Sequence, residues 1–334
     1  MPRVLIADYA WDSLDIERGI LAEVDAELVV AETGEEAELI SLAGDVDAIM
    51  VNWRRAPAAV LEAAERCIAV ARYGVGLDNI DVARATELGM VVTNVPDFCV
   101  DEVAEHALAL ILALQRKIVL FASQTRAGQW DNTAFGQMHR LRGQTIGLIG
   151  TGLLAQGLAQ RCRALGLEVI AHSRSAVPGS TKDGMTFADS LDDLLERSDI
   201  VSLHVPLTEA TRHMISTEQL ARMKSSAFLI NTARGPVVDP KALVEALRSG
   251  AIAGAGIDVT EPEPIEPGDP LLQMDNAIVT PHAAFYSYES TIDLQTRAAT
   301  SVKELLAGRV PDTVVNAQVL SAPELRATNL RTAS

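Results

Sequence analysis

Residues 145–155 constrain the fold more than any other stretch of this chain. Thr145-Ile146-Gly147-Leu148-Ile149 is a short apolar run, Gly150-Thr151-Gly152 a tight turn, and Leu153-Leu154-Ala155 the start of a helical pattern. Strand, glycine turn and helix in that order open a βαβ unit. Gly150 permits the turn, and Gly152 lets a backbone approach a pyrophosphate. Ala155 stands where a third glycine is expected and is still small enough for close helix–strand packing. The helix N-terminus adds free N–H groups and the positive end of its dipole. Dinucleotide binding is the expectation; a purely structural glycine turn is the alternative.

The end of the next strand bears on which dinucleotide is bound. An acidic residue there accepts hydrogen bonds from the adenosine ribose and repels a 2′-phosphate. The sequence is Val169-Ile170-Ala171-His172-Ser173-Arg174-Ser175, with no acid in it. Ser173 takes the acid's place, and Arg174 and Ser175 can hold a phosphate by charge-assisted hydrogen bonds. NADP(H) is therefore the expected preference. If Arg174 merely stacks on adenine or points to solvent, NAD(H) is used instead.

Around this motif, β-like runs alternate with helical patterns from end to end. Val4–Ala7, Leu28–Val30, Ala48–Val51, Ile68–Ala71 and Val91–Thr93 form a first series, with amphipathic stretches such as Ala58–Ala64 and Val82–Leu88 between them. A second series runs Thr145–Ile149, Val169–Ala171, Ile200–His204, Ala227–Ile230, Ala255–Asp258 and Ala277–Thr280. Near-continuous apolar strands alternating with helices mean parallel sheets covered on both faces. The fold class is α/β, with two doubly wound parallel-sheet domains: a Rossmann coenzyme domain, 99–285, inserted in a flavodoxin-like substrate domain, 1–98 plus 286–334. One long helix is expected from about 101 to 127, then a loop over 128–140. A helical stretch from about 288 to 307 has no strands of its own and is expected to cross back onto the first domain.

With 334 residues, the chain has room for two cores. A formal net charge of −17 argues against nucleic-acid partners and anionic membranes, and makes any placed arginine more informative. Cys67, Cys99 and Cys162 are odd in number and form no CxxC pair, which fits a reduced compartment and no structural metal. The amino terminus runs straight into a strand, and Ala107–Leu114 is too short to span a bilayer. A cytoplasmic location is expected.

Three residues after the motif bring compatible chemistry. Arg234 follows the apolar run Ala227–Ile230, Glu263 lies in a Pro- and Glu-rich loop, and His282 follows Val279-Thr280-Pro281. A guanidinium clamps a carboxylate, an imidazole passes a proton, and a carboxylate tunes that imidazole. Singly, each also has a plain reading: Arg234 as a surface ion pair, His282 as a satisfied helix-entry histidine and Glu263 as a loop charge. Trp53, Arg54 and Arg55 follow a strand end, where one arginine can meet a second anionic group or simply face solvent.

The stretches Arg72–Asp81, Asn94-Val95-Pro96, Gly150-Thr151-Gly152, His204–Thr208, Asn231–Gly235, Asp258-Val259, Glu263-Pro264 and Thr280-Pro281-His282 together resemble the D-isomer-specific 2-hydroxyacid dehydrogenases over residues 3 to about 316. Pro281–Ser287 and Gly308–Asp312 are similar in particular to the C-terminal-binding-protein branch of dehydrogenase-fold corepressors. The resemblance implies that Arg234 binds the substrate carboxylate and carbonyl oxygen. It makes His282 the proton donor and Glu263 the residue that orients it. Val75 and Gly76 would offer backbone N–H groups to the carboxylate, and Phe285 would wall the substrate pocket. Cofactor contacts would come from Leu153, Leu154, Pro206, Thr232, Ala233 and Asp258, with Asp258 at the nicotinamide edge. The helix at 101–127 would build a homodimer.

The implied reaction is reduction of a small 2-keto acid to the D-2-hydroxy acid, and the reverse. A dinucleotide-sensing corepressor-like protein with little turnover is the alternative. Several positions depart from the pattern. Leu153 replaces an arginine often found after the second glycine, and Phe285 replaces the corepressors' tryptophan. Glu263 stands where formate dehydrogenases carry glutamine. Phosphoglycerate-type enzymes often carry an added regulatory domain, and none is expected here.

Overall fold

The structure, a computed structural model, describes residues 1–328 and 330. It divides into two compact units: Met1–Phe98 together with Ser287 onward, and Cys99–Tyr286.

The first unit is built on five parallel strands: β1 (Arg3–Ile6), β2 (Glu27–Val30), β3 (Ala48–Val51), β4 (Ala69–Arg72) and β5 (Val91–Thr93). They are ordered β2-β1-β3-β4-β5, the flavodoxin-type order. Every residue of β3, β4 and β5 is buried, because helices cover both faces of a parallel sheet. That is why these strands read as unbroken apolar runs. The helix Tyr288–Leu306 opens with a reciprocal cap in which Ser287 and Ser290 exchange backbone and hydroxyl hydrogen bonds at 2.9 Å. It packs on the helix Asp15–Ala22 and on β4. Asn316 then fastens the tail to β5, accepting from the Val92 N–H at 2.8 Å and donating to the Met90 carbonyl at 2.9 Å.

The second unit holds β6 (Thr145–Ile149), β7 (Glu168–His172), β8 (Thr181–Lys182), β9 (Met185–Phe187), β10 (Ile200–Leu203), β11 (Phe228–Asn231), β12 (Gly254–Ile257) and β13 (Ala277–Val279). Their order is β13-β12-β11-β10-β6-β7-β9-β8. All neighbours are parallel except the antiparallel pair β8–β9. This is a Rossmann-type sheet whose order reverses at β6, between β7 on one side and β10 on the other.

Two elements differ from the sequence reading. The expected helix over 101–127 is two helices, Val100–Gln115 and Ile118–Arg126, bent by 61°. The break is at Lys117, whose φ of 52° is left-handed and cannot continue an α-helix. Its ammonium reaches the carbonyl of Phe135, tying the break to the following loop. The hairpin β8–β9 is an addition to the six expected strands. No single helix among the described residues is long and apolar enough to cross a membrane.

Candidate active site

The second unit gathers its sequence-marked residues at one edge of the sheet. The Gly150 turn follows β6, Ser173–Ser175 follow β7, Pro206 follows β10, Arg234 follows β11, Asp258 and Glu263 follow β12, and His282 follows β13. Six parallel strands therefore deliver these loops to their carboxyl ends, where open α/β sheets bind ligands. The strands β11, β12 and β13, which carry Arg234, Glu263 and His282, are immediate neighbours.

At the switch point, Gly150 has a φ of 101° and a side chain there would run into the His204 carbonyl. Only glycine fits. Beyond Gly152 the space where a Cβ would sit is open, with nothing within 4 Å. The helix Leu153–Ala164 starts there without any capping side chain, so its first N–H groups remain available. Leu153 is half-exposed and Leu154 partly buried, while Ala155 is fully buried in the packing the motif requires. Thr232, Ala233 and Arg234 form the turn after β11. The Thr232 hydroxyl is buried and meets no hydrogen-bond partner among the described residues. An open cradle at a helix N-terminus and an orphaned buried hydroxyl fit a dinucleotide. Ser173 is partly buried, and Arg174 and Ser175 are exposed in the turn after β7. The Arg174 guanidinium has no acidic partner among the described residues. Pro206 is exposed, its carbonyl accepting from the Thr211 hydroxyl at 2.6 Å.

His204, just behind the glycine turn, is partly buried, with Nε2 2.9 Å from the Ser202 hydroxyl. Burial pushes its imidazole down to about 4.

Glu263 and His282 are in direct contact through Glu263 Oε1 and His282 Nδ1. The backbone of His282 has a φ of 52°, a left-handed conformation that a non-glycine residue holds only when its surroundings enforce it. Asp258 supplies the enforcement. It is 1% exposed, and its carboxylate accepts from the Thr280 hydroxyl at 2.6 Å and from the Ala283 and Ala284 N–H groups at 2.9 Å. The Asp258 carbonyl also accepts from the His282 N–H at 2.7 Å. So Asp258 sits inside the turn that presents His282, with His106 3.4 Å from its Oδ1 and 3.0 Å from the Thr280 hydroxyl. The Phe285 ring stands edge-on to the His282 imidazole, centroids 6.1 Å apart. Arg234 is held at both ends of its turn: Asn231 Nδ2 donates to its carbonyl at 2.9 Å, and its own Nη1 donates to the Ala233 carbonyl at 2.8 Å.

In the first unit, β4 ends at Arg72, and Tyr73–Gly76 form the glycine turn. Arg72 is buried and its guanidinium donates to the Tyr73 carbonyl and lies under Gly74, so it supports the turn from within. Tyr73 points inward, its hydroxyl donating to Glu17 at 3.1 Å. Burial pushes the Glu17 carboxyl up. The Val75 and Gly76 N–H groups meet no acceptor among the described residues, while Asn94 Nδ2 donates to the Val75 carbonyl at 2.7 Å. Of the strand-end cations, Arg54 is paired with Glu35 at 2.7 Å, and Arg55 has no partner among the described residues. Asp8 takes the backbone N–H groups of Asn52, Trp53 and Arg54.

Several of these residues escape sequence reasoning. Asp8 and His106 carry no local signal. Thr280 lies inside the Thr280-Pro281-His282 stretch, so its neighbourhood was marked even though its hydroxyl was not. The three cysteines are free and buried, and desolvation pushes the thiols of Cys67 and Cys162 up to about 12.

A Rossmann sheet with a vacant-sided glycine turn at its switch point, and an imidazole–carboxylate pair on the same edge, defines a nicotinamide-dependent oxidoreductase. Residues 108–284 match the NAD binding domain of D-isomer specific 2-hydroxyacid dehydrogenases. The chain is 41% identical to a glyoxylate reductase of Thermofilum pendens, over 86% of each chain. Among solved structures it superposes on an NADPH-dependent glyoxylate/hydroxypyruvate reductase of Sinorhizobium meliloti in complex with NADP and malonate. That match has a TM-score of 0.85 and 31% identity, covering 100% of this chain and 99% of that one. A D-lactate dehydrogenase of Aquifex aeolicus, complexed with NAD and lactic acid, gives a TM-score of 0.83 and 28% identity, covering 92% of this chain and 96% of that one. The chain belongs to the D-isomer specific 2-hydroxyacid dehydrogenase family.

Proposed function

We propose that the protein reduces a small 2-keto acid, such as glyoxylate, hydroxypyruvate or a larger keto acid, to the D-2-hydroxy acid, with NADPH as the preferred donor. The observation that carries the reading is the Glu263–His282 contact on the strand end next to the one bearing Arg234. When bound, a reduced nicotinamide supplies the hydride for the carbonyl carbon. Everything else falls to the chain's own side chains. Because Nδ1–H of His282 donates to a carboxylate that can only accept, the transferable proton is carried on Nε2. His282 gives that proton to the carbonyl oxygen in reduction and takes it back in oxidation. Arg234 binds the substrate carboxylate, orienting the keto acid and offsetting charge on its oxygen. The Val75 and Gly76 N–H groups are an anion-binding element of the first unit. Phe285, beside the imidazole, sets the size of the side chain accepted.

Gly150, Gly152, Leu153, Leu154, Thr232 and Ala233 would hold the dinucleotide's diphosphate and nicotinamide side, and Pro206 its adenosine. Ser173, Arg174 and Ser175 would take a 2′-phosphate. Asp258 acts here by holding the His282 turn next to the nicotinamide. A cytoplasmic homodimer fits three free thiols and a helix, Ile118–Arg126, that buries none of its residues and exposes Ile118 and Val119. A dinucleotide sensor with little turnover is the weaker reading, since the relatives named above are enzymes. NADPH oxidation is measured against a panel of 2-keto acids. Arg234→Ala and His282→Ala each lower kcat/KM by about a hundredfold or more. If no keto acid gives turnover that depends on these two residues, the reading fails.

A further inference from the structure

We infer that His213 is a positioning residue: it couples the Arg234 turn to the Glu263 loop and thereby sets how firmly Glu263 holds His282. The inference rests on the reading of His282 as the proton donor.

His213 lies 21 residues before Arg234, in a loop no local pattern marks, yet it bonds to both catalytic loops at once. Its backbone N–H donates to the Pro236 carbonyl at 2.7 Å, two residues beyond Arg234. Its Nε2 lies 2.6 Å from Glu261 Oε2, two residues before Glu263. Arg212 Nη1 donates to the other oxygen of the same carboxylate, also at 2.6 Å. The tie continues downstream, where Ile215 donates to the Val237 carbonyl at 3.1 Å and forms a parallel bridge with Val238. His213 does this with a φ of 51°, a left-handed conformation that costs a non-glycine residue and persists where surrounding bonds enforce it.

The two loops it joins are already pressed together. A side chain on Gly235 would run into the backbone of Thr260, so the residue after Arg234 and the start of the Glu263 loop touch main chain to main chain. The Thr260 hydroxyl donates to the Pro262 carbonyl at 2.8 Å, closing the loop on itself. What remains is its swing away from β11, and the bidentate hold on Glu261 opposes that swing. Burial alone would raise the Glu261 carboxyl, but the hydrogen bonds from His213 and Arg212 outweigh it and keep it below its ordinary value, so Glu261 holds the clamp as a carboxylate. The charged groups facing this loop are Arg212 and His213 from the turn, Glu263 on the loop itself, and Asp269 across the small cavity lined by Gly235, Val259 and Ile265. His282 is faced by Glu263, with Asp258 and His106 behind its backbone.

A carboxylate that accepts from an imidazole fixes the ring's tautomer and orientation. If the clamp loosens, Glu263 spends less time on His282 and the ring is less often aligned to pass its proton. The pair is partly exposed, with His213 at 38% and Glu261 at 27%, and such pairs add little to global stability, so variants fold.

The test uses His213→Ala, Glu261→Ala and the conservative His213→Gln, whose amide keeps a donor for Glu261. Proton and nitrogen NMR of the labelled imidazoles reads the His282 Nδ1–H hydrogen bond to Glu263 directly, without turnover. We expect that downfield Nδ1–H signal to move upfield and broaden in His213→Ala and Glu261→Ala and to return toward wild type in His213→Gln. In keto-acid reduction, kcat of His213→Ala falls by about tenfold with little change in KM. NADPH affinity stays within about twofold of wild type. An unmoved His282 Nδ1–H signal in both alanine variants, or a loss of kcat that glutamine does not rescue, overturns the coupling. Turnover lost in His282→Ala with the coupling absent would separate this failure from failure of the functional reading.

Discussion

On the proposed reading, Arg174 carries the choice between the two nicotinamide dinucleotides. It stands exposed in the turn after β7, without an acidic partner among the described residues, in a chain whose net charge is −17. A hydrogen bond to a charged group contributes about 1.5–3 kcal/mol, which is roughly ten- to a hundredfold in affinity. Arg174→Ala should therefore raise KM for NADPH by at least about tenfold and leave KM for NADH within about twofold. Steady-state kinetics with both cofactors check this; an equal loss for both would mean that the guanidinium does not read the 2′-phosphate. At this scale the sequence marked Arg234, Glu263 and His282, because each lies in a short stretch with its own chemical reason, and the structure brings Glu263 and His282 into contact. It could not tell that the Asp258 carboxylate is consumed by the His282 turn, since its partners Thr280, Ala283 and Ala284 are brought to it only by the pairing of β12 with β13. His213 and Glu261 are 48 residues apart, and no spacing rule links them.

His204 shows how the end of one strand supports the turn of another. It follows β10 and its carbonyl lies against Gly150 at the end of β6. With its imidazole at about 4 when folded and near 6.5 when unfolded, it binds a proton in the unfolded chain first. Its contribution to stability is complete above about pH 6.5 and is lost as pH falls toward 4. Allowing for its partial exposure, the loss is on the order of 2 kcal/mol. Thermal melts across that range should show the decline, and His204→Asn should flatten it; an identical decline in the variant would assign it to other groups. Element boundaries followed the same division between local and distant causes. The strands of both sheets fell within a residue or so of their apolar runs, because burial on both faces writes a strand as an unbroken run. The break at Lys117 did not show, since apolar residues continue on both sides of it, in Leu114, Ile118 and Val119, while the left-handed residue is stabilised by Phe135 from a later loop. The β8–β9 hairpin was equally hidden, being short and polar outside Met185 and Phe187.

For the whole molecule, assembly has a direct measure. The helix Ile118–Arg126 buries none of its residues within the chain, and Ile118 and Val119 are 56% and 52% exposed. A chain of 35.7 kDa should then run at about twice that mass in light scattering. Ile118→Asp with Val119→Asp should return it toward the single-chain value; a wild-type monomer would remove the homodimer from the reading. A different consequence follows from the chain's path. The unit Cys99–Tyr286 is continuous, whereas the first unit waits for the helix Tyr288–Leu306, which packs on Asp15–Ala22 and β4. During synthesis, at about 5–20 residues per second, the inserted unit has its whole sequence before the first unit can close. The five-stranded sheet emerges from the ribosome first and is completed last, leaving its β4 face and the Asp15–Ala22 helix for nascent-chain chaperones to shield in the interval.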